Sequence, residues 1–470
     1  MRFSYNKLFF ILLLNIVGLV SFSQNKTYVP DDNFEAYLEA NGMGDGVANN
    51  DSVNTSSIRN VILLDVSNQN IDSLIGIQDF TAITELNCNN NQLSSLDVTQ
   101  NTSLSELYCN DNQLSNLDVT QNTSLSRLFC NNNQLSSLDV TQNIALRRLY
   151  CRNNQLSSLD VTQNTVISHL NFSVNQLSSL DVSQNTVLNE LSCDNNQLTS
   201  LDVTQNTALT VLGFNGNQLS SIDVSQNTSL IRLFCSNNQL TSLDLTQNTS
   251  LSRLFCNNNQ LNSLDVSQNT VLSQLNCNGT QLSSLDVTQN LALNNLYCSN
   301  NQLSSLDVSQ NTALTILAFD GNQLSTIDVS QNISLIRLSF TNNQLSSIDV
   351  SQNTALTNLT FYGNQLSSID VSQNTALTEL NCHSNQLTTL DLSQNTALTT
   401  LYCFNNQLTA LDLKNGNNTN FANFYAHSNP DLYCILVDDA NWASANWTVA
   451  NNNIDAQASF NNSYPNFSTV

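Results

Sequence analysis

Apolar residues return along this chain with a period of 21 residues. One copy has its apolar residues at Leu104, Leu107, Cys109, Leu114, Leu117 and Val119. The tripeptide Asn-Gln-Leu marks the same point of each copy from Asn91 to Asn406, and only Thr280 interrupts the Asn series. The chain is therefore an array of one short unit rather than a set of unrelated domains.

Two short alternations of apolar and polar residues occur within each copy. Leu107 and Cys109 alternate with polar residues, which predicts a short strand with both side chains pointing inward. Leu117 and Val119 around Asp118 predict a second extended segment on the opposite wall. No part of a copy is long enough for about ten helical residues, so the coil should be nearly all-β. A single copy cannot bury its own apolar face, and the copies are expected to stack.

The copies match the pattern L-x-x-L-x-L-x-x-N-x-L, with Cys at the third apolar position. In this the chain resembles the leucine-rich-repeat family over residues from about 60 to 434. The resemblance implies a curved solenoid with parallel strands on its concave face and a second extended wall opposite. We expect residues 60–426 to form about 17 turns, between an N-terminal cap over 24–59 and a C-terminal cap and tail over 427–470.

Caps are expected because an open stack would expose apolar surface at both ends. Asp31, Asp32 and Asn33 precede apolar residues at helical spacing, and Asn41-Gly42 follows them, which predicts a short capping helix. Trp442 and Trp447 are expected to cover the last turn. The two ends, with the segments Val29–Glu35 and Asn429–Ile435, resemble bacterial leucine-rich-repeat surface proteins of the Bacteroidetes type.

Residues 1–23 have the pattern of a secretory signal peptide. Arg2 and Lys7 supply positive charge, and Leu8–Val20 is an apolar run. We therefore expect a secreted or cell-surface protein. No later run reaches the ~20 apolar residues of a membrane-spanning helix. The formal net charge of −24 disfavours nucleic acid and anionic membranes as partners.

Eleven of the 12 cysteines occupy one position of the repeat. Other copies have Phe172, Phe214, Phe319, Phe340 or Phe361 at that position. A position that accepts Phe is an apolar core position, so we expect buried free thiols there. Scattered disulfides or a metal site are the alternative, although no Cys-x-x-Cys pair is present.

An Asp recurs in every copy after the second apolar run, as at Asp97 and Asp118. Each of these Asp residues is expected to accept hydrogen bonds from its own Thr/Ser-Gln-Asn turn. The alternative is a column of weak Ca²⁺ sites, because oxygen ligands are available. A second possible Ca²⁺ loop contains Gly44-Asp45-Gly46 and Asp51. No other cofactor is expected.

Arginine and aromatic residues concentrate at the outward positions of the predicted concave wall. They are Arg127, Phe129, Arg148, Tyr150, Arg152, Arg232, Phe234, Arg253 and Phe255. Arg337 is a more isolated member. Aromatic residues flanked by Arg are typical of binding hot spots, so the set predicts recognition of a protein or polysaccharide ligand. The alternative is local charge balance with the aromatic residues stacked as a strand ladder.

Nothing in the sequence indicates catalysis. His169, His383 and His427 fall in different copies or in the cap, and none shares a neighbourhood with a distinctive nucleophile. We therefore expect a monomeric, non-catalytic protein for recognition or adhesion. The alternative function is a structural surface coat that binds Ca²⁺ along the Asp column and needs no specific partner.

Overall fold

The computed structural model describes residues 25–463, and the predicted signal peptide over 1–23 lies outside them. The chain divides into two compact units, Met1–Leu159 and Asp160–Val470. Each unit is a stack of parallel strands with little helix, as the repeat pattern predicts.

The first unit begins with a small cap. Strand β1 (Lys26–Tyr28) pairs antiparallel with β2 (Ser52–Asn54), and the cap helices are α1 (Asp32–Ala40) and α2 (Thr55–Ile58). The predicted capping helix is therefore present.

Asp31 both starts helix α1 and joins it to the stack. Its Oδ1 accepts the Phe34 N–H at 2.9 Å, which satisfies one of the free donors of the first helical turn. Its Oδ2 accepts the N–H groups of Asp72 and Ser73 at 2.7 and 2.9 Å. One carboxylate therefore holds the cap against the first turn of the repeats.

The parallel sheet of the first unit contains five strands joined in chain order. They are β3 (Leu63–Asp65), β4 (Glu85–Asn87), β5 (Glu106–Tyr108), β6 (Arg127–Phe129) and β7 (Arg148–Tyr150). A short 3-10 helix, Ile77–Asp79, lies between β3 and β4. Leu107 stands opposite Leu128, so the register repeats the 21-residue period.

The second residue of each strand faces the core, and the first and third face outward. Leu107 and Cys109 are fully buried, as their alternation predicts. We call the outward side of these parallel sheets the strand face.

The main parallel sheet of the second unit contains thirteen strands. The first seven are β8 (His169–Asn171), β9 (Glu190–Ser192), β10 (Val211–Gly213), β11 (Arg232–Phe234), β12 (Arg253–Phe255), β13 (Gln274–Asn276) and β14 (Asn295–Tyr297). They are followed by β15 (Ile316–Ala318), β16 (Arg337–Ser339), β17 (Asn358–Thr360), β18 (Glu379–Asn381), β20 (Thr400–Tyr402) and β22 (Asn423–Tyr425). Each strand pairs in parallel with its neighbours in this order.

A second, four-stranded parallel sheet closes the C-terminal part of this unit. It consists of β19 (Thr389–Asp391), β21 (Ala410–Asp412), β23 (Cys434–Leu436) and β24 (Ser459–Asn461). Helix α3 (Ala440–Asn446) and a 3-10 turn, Asn418–Asn420, complete the cap. The Trp447 ring packs on the buried Phe424 ring with centroids 4.3 Å apart, so Trp447 covers the last turn as expected.

In the earlier repeats of this unit, side chains rather than strand ladders join the second-wall turns. The Asn206 Nδ2 group donates to the carbonyl of Val182 at 2.9 Å and to the carbonyl of Asn185 at 3.0 Å. The same bonds recur through the repeats, for example at Asn227. The second wall is thus extended, and a buried amide supplies its hydrogen bonds between turns.

The Asn of the Asn-Gln-Leu tripeptide has the structural role that its position predicts. The Asn112 Nδ2 group donates to the carbonyls of Cys88 and Cys109, and its Oδ1 accepts the Leu93 N–H at 3.0 Å. The preceding residue, Asp111, has a left-handed backbone with φ of 56°. Asn and Asp tolerate that conformation better than other side chains, and Gly216 occupies the position in another copy.

No helix within residues 25–463 combines the length and apolar character needed to cross a membrane.

Candidate functional site

In the first unit, strands β6 and β7 bring two arginines and two aromatic rings together on the strand face. Arg127 lies opposite Arg148, and Phe129 lies opposite Tyr150. The Phe129 and Tyr150 rings meet edge to face, with centroids 4.8 Å apart at 79°. We call these four residues the first Arg–aromatic doublet.

One arginine of the first doublet is held by a carboxylate. The Arg127 Nη1 lies 3.0 Å from Glu106 Oε1 on the preceding strand, and the Tyr108 hydroxyl donates to the other oxygen of that carboxylate. Burial, and next the hydrogen bond to Glu106, raise the pKa of Tyr108. Glu106 therefore balances the charge of Arg127.

Arg148 and Arg152 of this unit have no such carboxylate among the described residues. Arg148 and Arg152 are exposed, and neither guanidinium forms an ion pair with a residue in the described range. The aromatic side chains beside them, Phe129 and Tyr150, are half-buried rather than fully exposed. They therefore present part of each ring to solvent while packing along the sheet.

Strands β11 and β12 of the second unit repeat this arrangement. Arg232 lies opposite Arg253 and Phe234 opposite Phe255, and the two rings meet edge to face at 5.4 Å and 75°. We call these four residues the second Arg–aromatic doublet. Both guanidinium groups are exposed, and neither makes a hydrogen bond or ion pair with a described residue. Their neighbours in register are Val211 and Gln274, which carry no charge.

The second unit has a further aromatic feature that was not predicted from the sequence. One column of rings stacks face to face: Tyr362, His383, Phe404 and His427. The centroid distances are 4.4, 4.2 and 4.9 Å. Burial lowers the pKa of His383, which favours its neutral form. Comparing the residue that follows each buried Cys or Phe from copy to copy would have revealed this column.

The repeated cysteines form a buried column. All eleven repeat cysteines are fully buried and free, and the twelfth, Cys434, is half-buried and free. Desolvation raises the pKa of the Cys130 thiol to about 12, so the thiol is not a nucleophile at neutral pH. The prediction that this is an apolar core position is confirmed.

The repeated Asp residues accept hydrogen bonds from their own turns. The Asp118 Oδ1 accepts the Thr120 N–H at 2.9 Å and the Thr120 hydroxyl at 2.7 Å. These bonds lower the pKa of Asp118, and the hydroxyl is the larger cause. Asp139 and Thr141 form the same pair. These are the hydrogen bonds expected if each Asp stabilises its own Thr/Ser-Gln-Asn turn.

In the N-terminal cap, the two candidate Ca²⁺ ligands are engaged differently. Asp45 pairs with Lys26, whose hydrogen bond lowers the pKa of that carboxyl to about 2. Asp51 instead lies in a group with Asp32 and Glu35, whose nearest ligand atoms are all within 4.8 Å of one another. Glu35 in this group is buried and accepts the backbone N–H groups of Asn50 and Asp51.

Comparison with known proteins supports the repeat assignment. The model of a family described as Leucine Rich repeats (2 copies) matches residues 375–415. The fold is similar to the functional domain of InlJ from Listeria monocytogenes, with a TM-score of 0.68 and 31% identity. That match covers 88% of this chain and 82% of the InlJ domain, which its description says includes a cysteine ladder.

Two further solved structures are similar. A leucine-rich-repeat protein of Leptospira interrogans matches with a TM-score of 0.59 and 27% identity, over 66% of this chain and 86% of its own. The internalin InlF of Listeria monocytogenes matches with a TM-score of 0.61 and 25% identity, over 67% of this chain and 97% of its own. No curated protein sequence matches the chain.

Proposed function

This chain belongs to the leucine-rich-repeat family, and from that premise we propose that it is a secreted or surface-attached bacterial binding protein. It recognises an acidic protein segment through its strand face and performs no catalysis. The signal-peptide pattern of residues 1–23 supports export, and the similar Listeria monocytogenes structures are the InlJ functional domain and the internalin InlF.

The observation that carries this proposal is the unpaired charge of the second doublet. Arg232 and Arg253 are cross-strand neighbours, and like charges directly opposite each other destabilise a sheet. No acidic residue in the described range relieves that repulsion by an ion pair. In a chain of net charge −24, two adjacent unpaired cations are best explained by an anionic partner.

The rings beside these arginines supply the rest of a binding hot spot. Phe234 and Phe255 are half-buried and fixed by their edge-to-face contact, so little side-chain freedom is lost when they are covered. Arg and aromatic residues are the types that dominate the binding energy of protein interfaces. An acidic segment that also carries an apolar side chain fits this surface.

The first doublet extends the same chemistry to the first unit. Arg148 and Arg152 are the available cations there, because Glu106 already neutralises Arg127. The Phe129 and Tyr150 rings take the place of Phe234 and Phe255. Both units thus offer the same combination of guanidinium and aromatic edge.

The proposal is tested by binding the mature chain to arrays of acidic peptides, neutral peptides and glycans. Variants R232A and R253A should lose binding to acidic peptides, whereas R337A should not. Arg337 is the matched control, because it occupies the same strand position in β16 but has Ile316 and Asn358 as its neighbours in register. Binding to glycans alone, or equal binding by all three variants, would contradict the proposal.

A surface coat that binds Ca²⁺ is the second candidate function. Its support is the regular column of carboxylates in which one oxygen, such as Asp118 Oδ1, takes both hydrogen bonds of the turn. Asp118 is exposed and its other oxygen accepts no hydrogen bond from a described residue, so that oxygen can coordinate a hard cation. A Ca²⁺-dependent rise in melting temperature would favour this role.

A further inference from the structure

The main sheet of the second unit ends in a strand with an open edge. Strand β22 pairs with β20, and no ladder joins its other edge to a further strand of the described chain. The Asn423 N–H donates to the Thr399 carbonyl, and the Tyr425 carbonyl accepts the Cys403 N–H. Successive residues of a strand direct their backbone groups to opposite sides, so those of Phe424 face away from β20.

The cap covers only part of this edge. The Asn453 side chain donates to the Phe424 carbonyl, and the Asn453 carbonyl accepts the Ala426 N–H, both at 2.7 Å. The Phe424 N–H and the Ala422 carbonyl have no hydrogen-bond partner among the described residues. They are the groups that a next parallel strand would engage, as Thr399 and Leu401 engage β22.

A cleft of about 510 Å³ runs along the same edge. It is lined by residues 421–425, which include strand β22, and by Trp442, Asn446, Trp447, Asn451 and Asn453. The Trp442 and Trp447 rings meet edge to face at 5.3 Å, and Trp442 is half-exposed. No residue that lines the cleft carries a charge. The cleft thus combines an open strand edge with an aromatic wall and neutral amides.

We propose that this cleft is a second binding site, which takes an extended, uncharged peptide segment as one further parallel strand of the main sheet. Backbone bonds to the Phe424 N–H and the Ala422 carbonyl give the segment its register, and an apolar side chain packs against Trp442. Addition of a strand at a free sheet edge uses main-chain bonds for affinity and side-chain pockets for specificity. The site does not depend on the Arg–aromatic doublets, and its ligand differs from theirs in charge.

The test uses a library of uncharged hexapeptides with acetylated N-termini and amidated C-termini, applied to the mature chain. Neutral hexasaccharides are applied in parallel. The best-binding peptide is then methylated at each backbone nitrogen in turn. The Ala422 carbonyl is the one acceptor left open at this edge, so methylation should reduce affinity at least tenfold at the single position whose N–H donates to it and leave affinity unchanged at the two adjacent positions. Hydrogen exchange at the Phe424 amide should slow when the peptide is bound.

Two variants connect the binding to the cleft. W442A removes the exposed part of the aromatic wall and should weaken peptide binding at least tenfold. Y433A is the control, because Tyr433 is an exposed aromatic residue of the same cap that does not line the cleft. Absence of peptide binding, equal affinity along the whole methylated series, or binding of hexasaccharides alone would overturn the proposal. R232A should leave this peptide affinity unchanged, which separates the two sites.

Discussion

Arg232 lies directly opposite Arg253 across the parallel pair β11 and β12, and no carboxylate in the described residues pairs with either guanidinium. In the first unit, Arg127 and Arg148 have the same relationship, but Glu106 binds Arg127 from the preceding strand. The two doublets thus have the same register. Both arginines of the second doublet lack an ion pair with a described residue, whereas Arg127 of the first doublet has one.

Removing one arginine of the second doublet should not destabilise the fold. R253A takes away a like-charge neighbour of Arg232 and no ion pair, so the free energy of unfolding should stay within about 0.5 kcal/mol or rise. R127A breaks the contact with Glu106 and should lower stability by up to about 1 kcal/mol, as for other partly exposed pairs. Urea unfolding of the two variants measures this difference. A clear loss of stability in R253A would mean that Arg253 has a structural role.

The buried Asn of the repeat should be costly to replace. N112A leaves the Leu93 N–H without its partner and removes one of the two Asn donors to each of the Cys88 and Cys109 carbonyls, at a cost of about 1–3 kcal/mol. N112T should cost less, because Thr280 occupies this position in another copy and its hydroxyl donates to the Cys277 carbonyl at 2.8 Å. Equal midpoints for N112A and the parent chain in urea would contradict the structural role.

Thiol chemistry distinguishes buried free cysteines from disulfides. In the native protein, Ellman's reagent should leave the eleven buried thiols unmodified, and any reaction should come from Cys434. Burial raises the pKa of the column, as it does for Cys256 to about 12, and also blocks access. After unfolding without reductant, all 12 cysteines should react. A smaller number under those conditions would show that some of them form disulfides.

Acid should destabilise the Asp column. The turn hydrogen bonds lower the folded-state pKa of Asp118, Asp139 and Asp202. Their contribution is therefore present above the unfolded pKa of ~3.9 and is lost as the pH falls through the lower folded value. The melting temperature should fall between pH 5 and pH 2. T120A should make this fall smaller, because it removes the hydroxyl donor to Asp118. A melting temperature independent of pH over this range would contradict the turn bonding.

The binding of Ca²⁺ is measured by the same thermal unfolding. If the free oxygens of the Asp column coordinate Ca²⁺, millimolar Ca²⁺ should raise the melting temperature and a chelator should reverse the change. Mg²⁺ at equal ionic strength is the control, because screening of the carboxylates alone would give the same rise with both ions. An identical response to the two ions would exclude a specific Ca²⁺ column.

The repeat pattern was sufficient to predict the fold. The alternation at Leu107 and Cys109 predicts the strand Glu106–Tyr108, and Asp31 before apolar residues at helical spacing predicts helix α1. Both follow from local periodicity. The sequence did not predict that Asn206 and its equivalents join the turns of the second wall. A buried side-chain amide and a strand ladder satisfy the same backbone groups, so periodicity alone does not distinguish them.

The candidate site could be predicted only in part. The register makes Arg232 and Arg253 neighbours as soon as the period is known. The structure adds that Glu106 pairs with Arg127 and accepts a hydrogen bond from Tyr108. The cleft beside Trp442 could not be found in this way, because the repeat register ends after Leu413 and the course of the chain beyond it has no periodic signal.

The most direct test of the central claim is the affinity of the parent chain, R232A/R253A and R337A for one acidic peptide selected from the array. The account predicts that the double variant binds at least about 30-fold more weakly, equivalent to about 2 kcal/mol, while R337A stays within about twofold. The affinity of the parent chain should also fall with rising salt. Equal affinities for all three proteins would contradict recognition through the strand face.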